Sequence, residues 1–245
     1  MVQRNRSFVL VDPPLSGAAN MAIDQDLLNC AEASDYPVTF LRLYAWERPT
    51  VSIGYNQRPE QSFDWDYCHL HAVPVVRRPT GGRAVLHAGE LTYAVASSDP
   101  GLYPLDSVDR TYLALAKTLQ SGLARLGIDA ELAIGSREPA PERTAGVKPP
   151  CFASASRHEL LVHGRKVVGS AQRRLRRSFL QHGSIPLRLN TRFTAAVLGV
   201  SEELILRTTT SVSDAAGRDV LFEEVAEALA EAFRENWATA GSPAR

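Results

Sequence analysis

Short segments rich in β-branched and aromatic residues recur along this chain too closely, with too few helices between them, for alternating strand–helix units. They are Val38 to Tyr44, Thr50 to Tyr55, Ala72 to Arg77, Arg83 to His87, Leu91 to Ala96, Glu159 to His163 and Lys166 to Ser170. The last two read as a hairpin turning at His163-Gly164-Arg165, and Phe8-Val9-Leu10-Val11 reads as a further strand. Helical periodicity is clearest over Asn20 to Ala33, where Met21, Ile23, Leu27, Leu28 and Ala31 recur and Asn20 reads as the cap. A second helix opens at Asp106 or Ser107, carries Tyr112, Leu115, Leu119, Leu123 and Leu126 on one stripe, and stops at Gly127. A third runs roughly from Val220 to Trp237 with Phe222, Val225, Leu229, Phe233 and Trp237 inward, and a shorter one from Arg192 to Leu198 ends at Gly199. The expected fold class is α+β, with helices packed on a mixed, mostly antiparallel sheet in one domain over residues 1–245.

Composition narrows the function classes. Lys plus Arg and Asp plus Glu both number 27, so no overall basic field favours nucleic acid or an anionic membrane. No apolar run approaches the roughly 20 residues that span a bilayer, and the apolar stretch near the N-terminus is too short for a signal peptide. Three widely spaced cysteines in a chain of this size suggest reduced thiols and a cytoplasmic setting.

Four places carry candidate chemistry. Arg77-Arg78-Pro79-Thr80-Gly81-Gly82-Arg83-Ala84-Val85-Leu86-His87 follows an apolar strand, and its two glycines permit a tight turn or close approach to a ligand. It has no Gly-Lys-Ser/Thr and no following helix for phosphate, so a ligand loop and an ordinary hairpin stay equally open. Cys151 follows Pro149-Pro150 at the end of the proline-rich stretch Gly135 to Pro150, which reads as a cover over a site or as a surface insertion. It is the one cysteine whose context looks reactive. Cys30 fits a buried structural role, and Cys68, in Tyr67-Cys68-His69-Leu70-His71, matches no zinc spacing, so no metal is expected. Lys166 heads a run of valines and either reaches solvent or points into a partly dry site, where beside a thiol its cationic form would stabilise the thiolate and its neutral form could act as a base. Leu180-Gln181-His182-Gly183-Ser184-Ile185 places polar groups in an apolar frame, as a structural histidine or a site. Arg173, Arg174, Arg176 and Arg177 form a basic patch, read as a solvated turn or a surface for acidic carrier domains.

Taken in order, these segments resemble the lipoate–protein ligase and octanoyltransferase superfamily. The resemblance rests on Asn20-Met21-Ala22-Ile23-Asp24, Arg42-Leu43-Tyr44 through Ser52-Ile53-Gly54-Tyr55, the Arg77 to His87 loop with Gly89-Glu90-Leu91-Thr92-Tyr93, Gly164 to Gln172, and Leu180 to Ser184. Arg83 stands where ATP-dependent ligases usually have a third glycine. Cys151-Phe152 followed by Glu159-Leu160 is similar to the cysteine-dependent octanoyltransferases. The resemblance implies a biotin/lipoate protein ligase catalytic-domain fold, no cofactor, and transfer of octanoyl from acyl carrier protein to a lysine of a lipoyl domain or glycine cleavage H protein. It implies Cys151 as the thioester nucleophile and Lys166 as the residue lowering its pKa. Arg77, Arg78, Gly81, Gly82, Arg83, His87, Gly169, Ser170, Ala171, His182 and Gly183 would shape the substrate site. Ala88 stands where relatives commonly carry an acidic residue beside the histidine. Octanoyl transfer between lipoyl-domain proteins, ATP-dependent lipoate ligation and non-catalytic acyl-carrier binding are the competing functions.

Overall fold

A computed structural model describes residues 6–58, 63–133 and 159–240. The proline-rich stretch from Gly135 and Cys151 itself lie outside the described residues. The main sheet has seven strands in the order β1-β2-β6-β10-β9-β8-β7. These are β1 (Arg6–Val11), β2 (Val38–Tyr44), β6 (Glu90–Ser97), β7 (Glu131–Leu132), β8 (Leu160–Val162), β9 (Arg165–Arg174) and β10 (Phe179–Pro186). Only β1 and β2 run parallel within it; every other neighbouring pair is antiparallel. A small sheet of order β4-β3-β5 holds β3 (Thr50–Ile53), β4 (Val75–Arg77) and β5 (Val85–His87). The α+β class with a mostly antiparallel mixed sheet is therefore what the sequence folds into.

Period-two alternation decides which face each strand residue serves. On β6, Leu91, Tyr93 and Val95 enter the large core with helices α3 (Val108–Arg125) and α7 (Phe222–Ala240). Ala94 and Ala96 face the other way, toward Met21 and Leu28 of α1 (Gly17–Ala33). β10 follows suit, with Phe179 and Ile185 in the large core and Leu180 opposite. The small sheet packs its Val51, Ile53 and Leu86 on a separate cluster with α2 (Trp65–Leu70), α4 (Thr191–Leu198) and α5 (Glu202–Thr208). The short α6 (Val212–Ala216) precedes α7.

One irregularity matters for function. Leu160 pairs with Val168 and Leu161 with Lys166, so Val167 is an extra residue in β9. This bulge turns both Val167 and Val168 into the large core and brings Lys166 to the face that carries Gly169 and Ala171. Without it, Lys166 would share the face of Val168.

Several local expectations change. Asn20 is not the cap of α1: Ser16 is, its hydroxyl accepting from the Ala19 N–H, and Asn20 lies one turn in, fully buried. Cys30 is exposed rather than buried. The buried row of α1 runs through Asp24, Leu28 and Ala31, and Cys30 is about 200° round the helix from Leu28. Cys68 is buried in α2, where desolvation, reinforced by Asp64, pushes its thiol up to about 11. The hairpin turn is as expected: His163 and Gly164 both have positive φ, the two-residue geometry that suits right-twisted strands.

Candidate active site

The α1-facing side of the main sheet and the small sheet flank a partly open cavity of about 40 Å³. Met21, Tyr44, Trp46 and Val85 supply apolar walls, and Ser52, Arg78, His87, Lys166, His182 and Ser184 supply polar ones. Gly169, Ser170, Ala171 and Gly183 complete the lining from β9 and β10. Of the residues singled out in the sequence, Arg78, His87, Lys166, Gly169, Ser170, Ala171, His182 and Gly183 thus meet around one cavity. Gly183 is needed there because a Cβ would stand 2.4 Å from the Gly169 carbonyl and 2.5 Å from the Tyr93 ring.

Arg77, Gly81, Gly82 and Arg83 do not line it. The buried Arg78 guanidinium donates to the carbonyls of Gly81 and Arg83 and to the Ser52 carbonyl and hydroxyl, so it holds the glycine turn against β3. Gly54 lets the turn close, since a Cβ on it would lie 2.1 Å from the Gly82 oxygen. Arg77 points to the other side and donates to the carbonyls of Gly54, Tyr55 and Gln57. The Arg77 to His87 segment is therefore a braced loop beside the cavity.

Two histidine–carboxylate pairs face the cavity. His182 Nδ1 lies 2.9 Å from Asp24 Oδ2 and its Nε2 lies 2.6 Å from Thr80 Oγ1. Asp24, fully buried, also accepts from Tyr44 Oη at 2.8 Å and from Arg42 Nη1 at 2.8 Å. His87 Nδ1 lies 2.7 Å from Glu90 Oε1 and its Nε2 lies 2.7 Å from Ser52 Oγ. Trp46 stacks on the His87 ring at 3.9 Å with planes 11° apart. The support that an acidic residue beside the histidine would give comes here from Glu90, one strand turn away from Ala88.

Burial pushes His182 below the ordinary histidine range, with Arg78 and His87 adding to the effect and Asp24 opposing it. The unfolded chain then takes up this proton more readily than the fold, so His182 contributes stability that is present above about pH 6.5 and is lost as pH falls through its lower folded value. Thermal unfolding should show a drop in Tm between pH 7.5 and 5.5, and His182→Asn should reduce that drop.

Lys166 is buried, and its Nζ lies 2.7 Å from Glu159 Oε1. The basic patch is largely engaged in bracing. Arg174 donates to carbonyls of Leu105 and Ser107, Arg173 to Pro79, and Arg177 to Ser34. Asp24, Ser52, Glu90 and Glu159 are the site residues that sequence reasoning passed over as functional. Asp24, Ser52 and Glu90 lay inside quoted motifs, and Glu159 at a strand start, yet nothing in their spacing named a partner. Among the described residues no group of His, Cys, Asp and Glu suits a metal ion, and no helix is long and apolar enough to cross a membrane.

The lipoyl protein ligase A/B catalytic domain matches residues 16–234. An octanoyltransferase LipM of Kyrpidia tusciae is 42% identical over 230 residues, covering 90% of this chain and 83% of that protein. A lipoate–protein ligase A crystallised with ATP superposes with a TM-score of 0.73 at 26% identity, covering 96% and 85% of the two chains. A Thermoplasma acidophilum protein bound to lipoic acid shares the fold, with a TM-score of 0.73 at 24% identity and coverage of 95% and 86%. By the domain match, which spans most of its length, the chain belongs to the lipoyl protein ligase A/B catalytic-domain family and is an acyltransferase.

Proposed function

We propose that this enzyme serves lipoate synthesis in the cytoplasm by moving octanoyl from acyl carrier protein, through a thioester on Cys151, to a lysine of a lipoyl domain or glycine cleavage H protein. The carrying observation is an apolar cavity with one buried, carboxylate-held lysine, Lys166, in its wall. Six or seven buried methylene and methyl groups at about 0.8 kcal/mol each bring roughly 5 kcal/mol of gross binding, enough to hold an octanoyl tail without a charged anchor. The lysine charge favours the thiolate of a nearby cysteine, and each tenfold gain in thiolate takes about 1.4 kcal/mol of preferential stabilisation.

The chemistry is self-sufficient. A carrier thioester is already activated, so its exchange for a thioester on Cys151 is near thermoneutral, and amide formation with a lysine amine is downhill. Covalent catalysis divides the transfer into these two steps and leaves no task for ATP. The octanoyltransferase names of the relatives support the acyl group, and the mechanism and acceptor are our reading.

The test is to mix the purified protein with octanoyl-acyl carrier protein and an unmodified lipoyl domain, without ATP, and follow masses. The expected result is an octanoyl adduct mapped to Cys151, followed by octanoyl-lysine on the acceptor. Transfer only from an octanoylated H protein would favour the amidotransferase reading, and a requirement for ATP and free acid would favour ligation. Carrier binding without any adduct would leave only a binding protein.

A further inference from the structure

Transfer to an amine raises a problem that the thioester alone does not solve. The acceptor lysine arrives as an ammonium, since an ordinary lysine pKa near 10.4 leaves under about 0.1% free amine at pH 7. Something in the site must take its proton. We propose that Ser52 and His87, oriented by Glu90, form the relay that accepts it. This rests on the thioester reading above.

The hydrogen-bond directions carry the inference. Arg78 only donates, and its Nη1 lies 3.1 Å from Ser52 Oγ, so that contact takes a lone pair of the serine. His87 Nδ1 faces the Glu90 carboxylate and so carries the ring proton, which leaves Nε2 to accept the serine O–H, 2.7 Å away. Nδ1–H donates to Glu90 Oε1, and Glu90 also accepts from the hydroxyls of Thr92 and Ser184. Trp46, itself donating to Thr92 at 2.8 Å, packs flat on the imidazole, which prevents ring rotation. Serine, histidine and carboxylate are thus aligned for proton transfer in one direction, with a cavity at the serine end.

The other histidine in the wall is less suited. His182 is held at both nitrogens and burial depresses its basicity. His87 differs further in touching a second, more open cavity of about 390 Å³, which it lines with Trp46, Ala88 and Glu90. Exposed residues Glu47, Arg48 and Leu221 also line that groove, so a proton on His87 has a route to solvent. Charged or titratable groups around His87 are Glu90, Arg78, His182 and Lys166 on the enclosed side, and Glu47, Arg48 and Arg188 on the groove side.

The step balances as follows. The ammonium gives one proton to Ser52 Oγ while the serine proton passes to His87 Nε2. The freed amine attacks the thioester carbonyl carbon, a C–N bond forms and the C–S bond breaks. The second nitrogen proton leaves with the departing sulfur, so the products are amide, Cys151 thiol and His87 imidazolium, which discharges through the groove.

The experiment separates the half-reactions. Enzyme is charged with octanoyl-pantetheine and the rate of adduct formation read by mass; the charged enzyme is then mixed with an unmodified lipoyl domain in a single turnover across pH. His87→Asn should slow the second step at least about a hundredfold more than the first. Its second-step rate should climb with hydroxide across the range where that of the parent levels off. Ser52→Ala, which removes only a hydroxyl, should show the same imbalance between the two steps. Equal losses in both steps, or a parent-like pH profile in His87→Asn, would overturn the relay alone. Failure of the parent to form any adduct would remove the thioester reading and the relay with it.

Discussion

Asp24→Ala should lower the unfolding free energy by about 3–5 kcal/mol, the usual cost of removing one partner from a buried ion pair. Asp24 is fully buried and takes three donors at once, from Arg42, Tyr44 and His182. Alanine leaves the buried Tyr44 hydroxyl and the His182 Nδ1 without their acceptor. Arg42 keeps Asp12 at 2.6 Å and Asn20 at 2.8 Å, so its charge is not wholly orphaned. For a chain of this length, each kcal/mol moves Tm by about 2–4 °C, so a shift of roughly 6–20 °C is expected. Asp24→Asn, which retains a carbonyl acceptor, should cost less. A parent-like Tm for the alanine variant would mean that the Asp24 cluster contributes little to holding α1 on the sheet.

Cys151→Ala should abolish adduct formation from an octanoyl thioester and lower transfer to the lipoyl domain by about a thousandfold or more, because both chemical steps lose their shared atom. The comparison needs site-resolved masses. Cys30 is exposed and will take up alkylating reagents, whereas Cys68 is buried with its thiol pushed up to about 11. An adduct that persists in Cys151→Ala at the parent rate would move the nucleophile elsewhere. ATP-dependent transfer surviving the substitution would instead mark a ligase.

Much of the scaffold was legible because it depends on local pattern. β2 runs from Val38 to Tyr44 as its β-branched and aromatic content implies, and Ser107 caps α3 ahead of its leucine stripe. The three helices that the reading missed among the described residues, α2, α5 and α6, span six, seven and five residues, too few for periodicity to register. Cys30 was misread because α1 buries Asp24 in its inward row, a polar position that hydropathy assigns to the outside. The candidate site divides along the same line. Arg78, His87, Lys166 and His182 announced themselves by residue type within motifs. Their partners did not, since Asp24 stands 158 positions from His182 and Ser52 stands 35 from His87. Such pairings arise only when sheet topology brings distant strands together, and the chain carries no local mark of them.

The extra residue in β9 makes this strand sensitive to length in an unusual way. Loss of one amino acid between Lys166 and Gly169 would restore regular pleating there, and gain of one would likewise reverse the facing of Lys166, sending the lysine toward the large core, where a charge has no water and no glutamate. Changes of two would preserve its orientation. Natural variation in this segment is therefore constrained to even steps, and an alignment gap of odd size at this point would identify chains in which the ammonium has been given up.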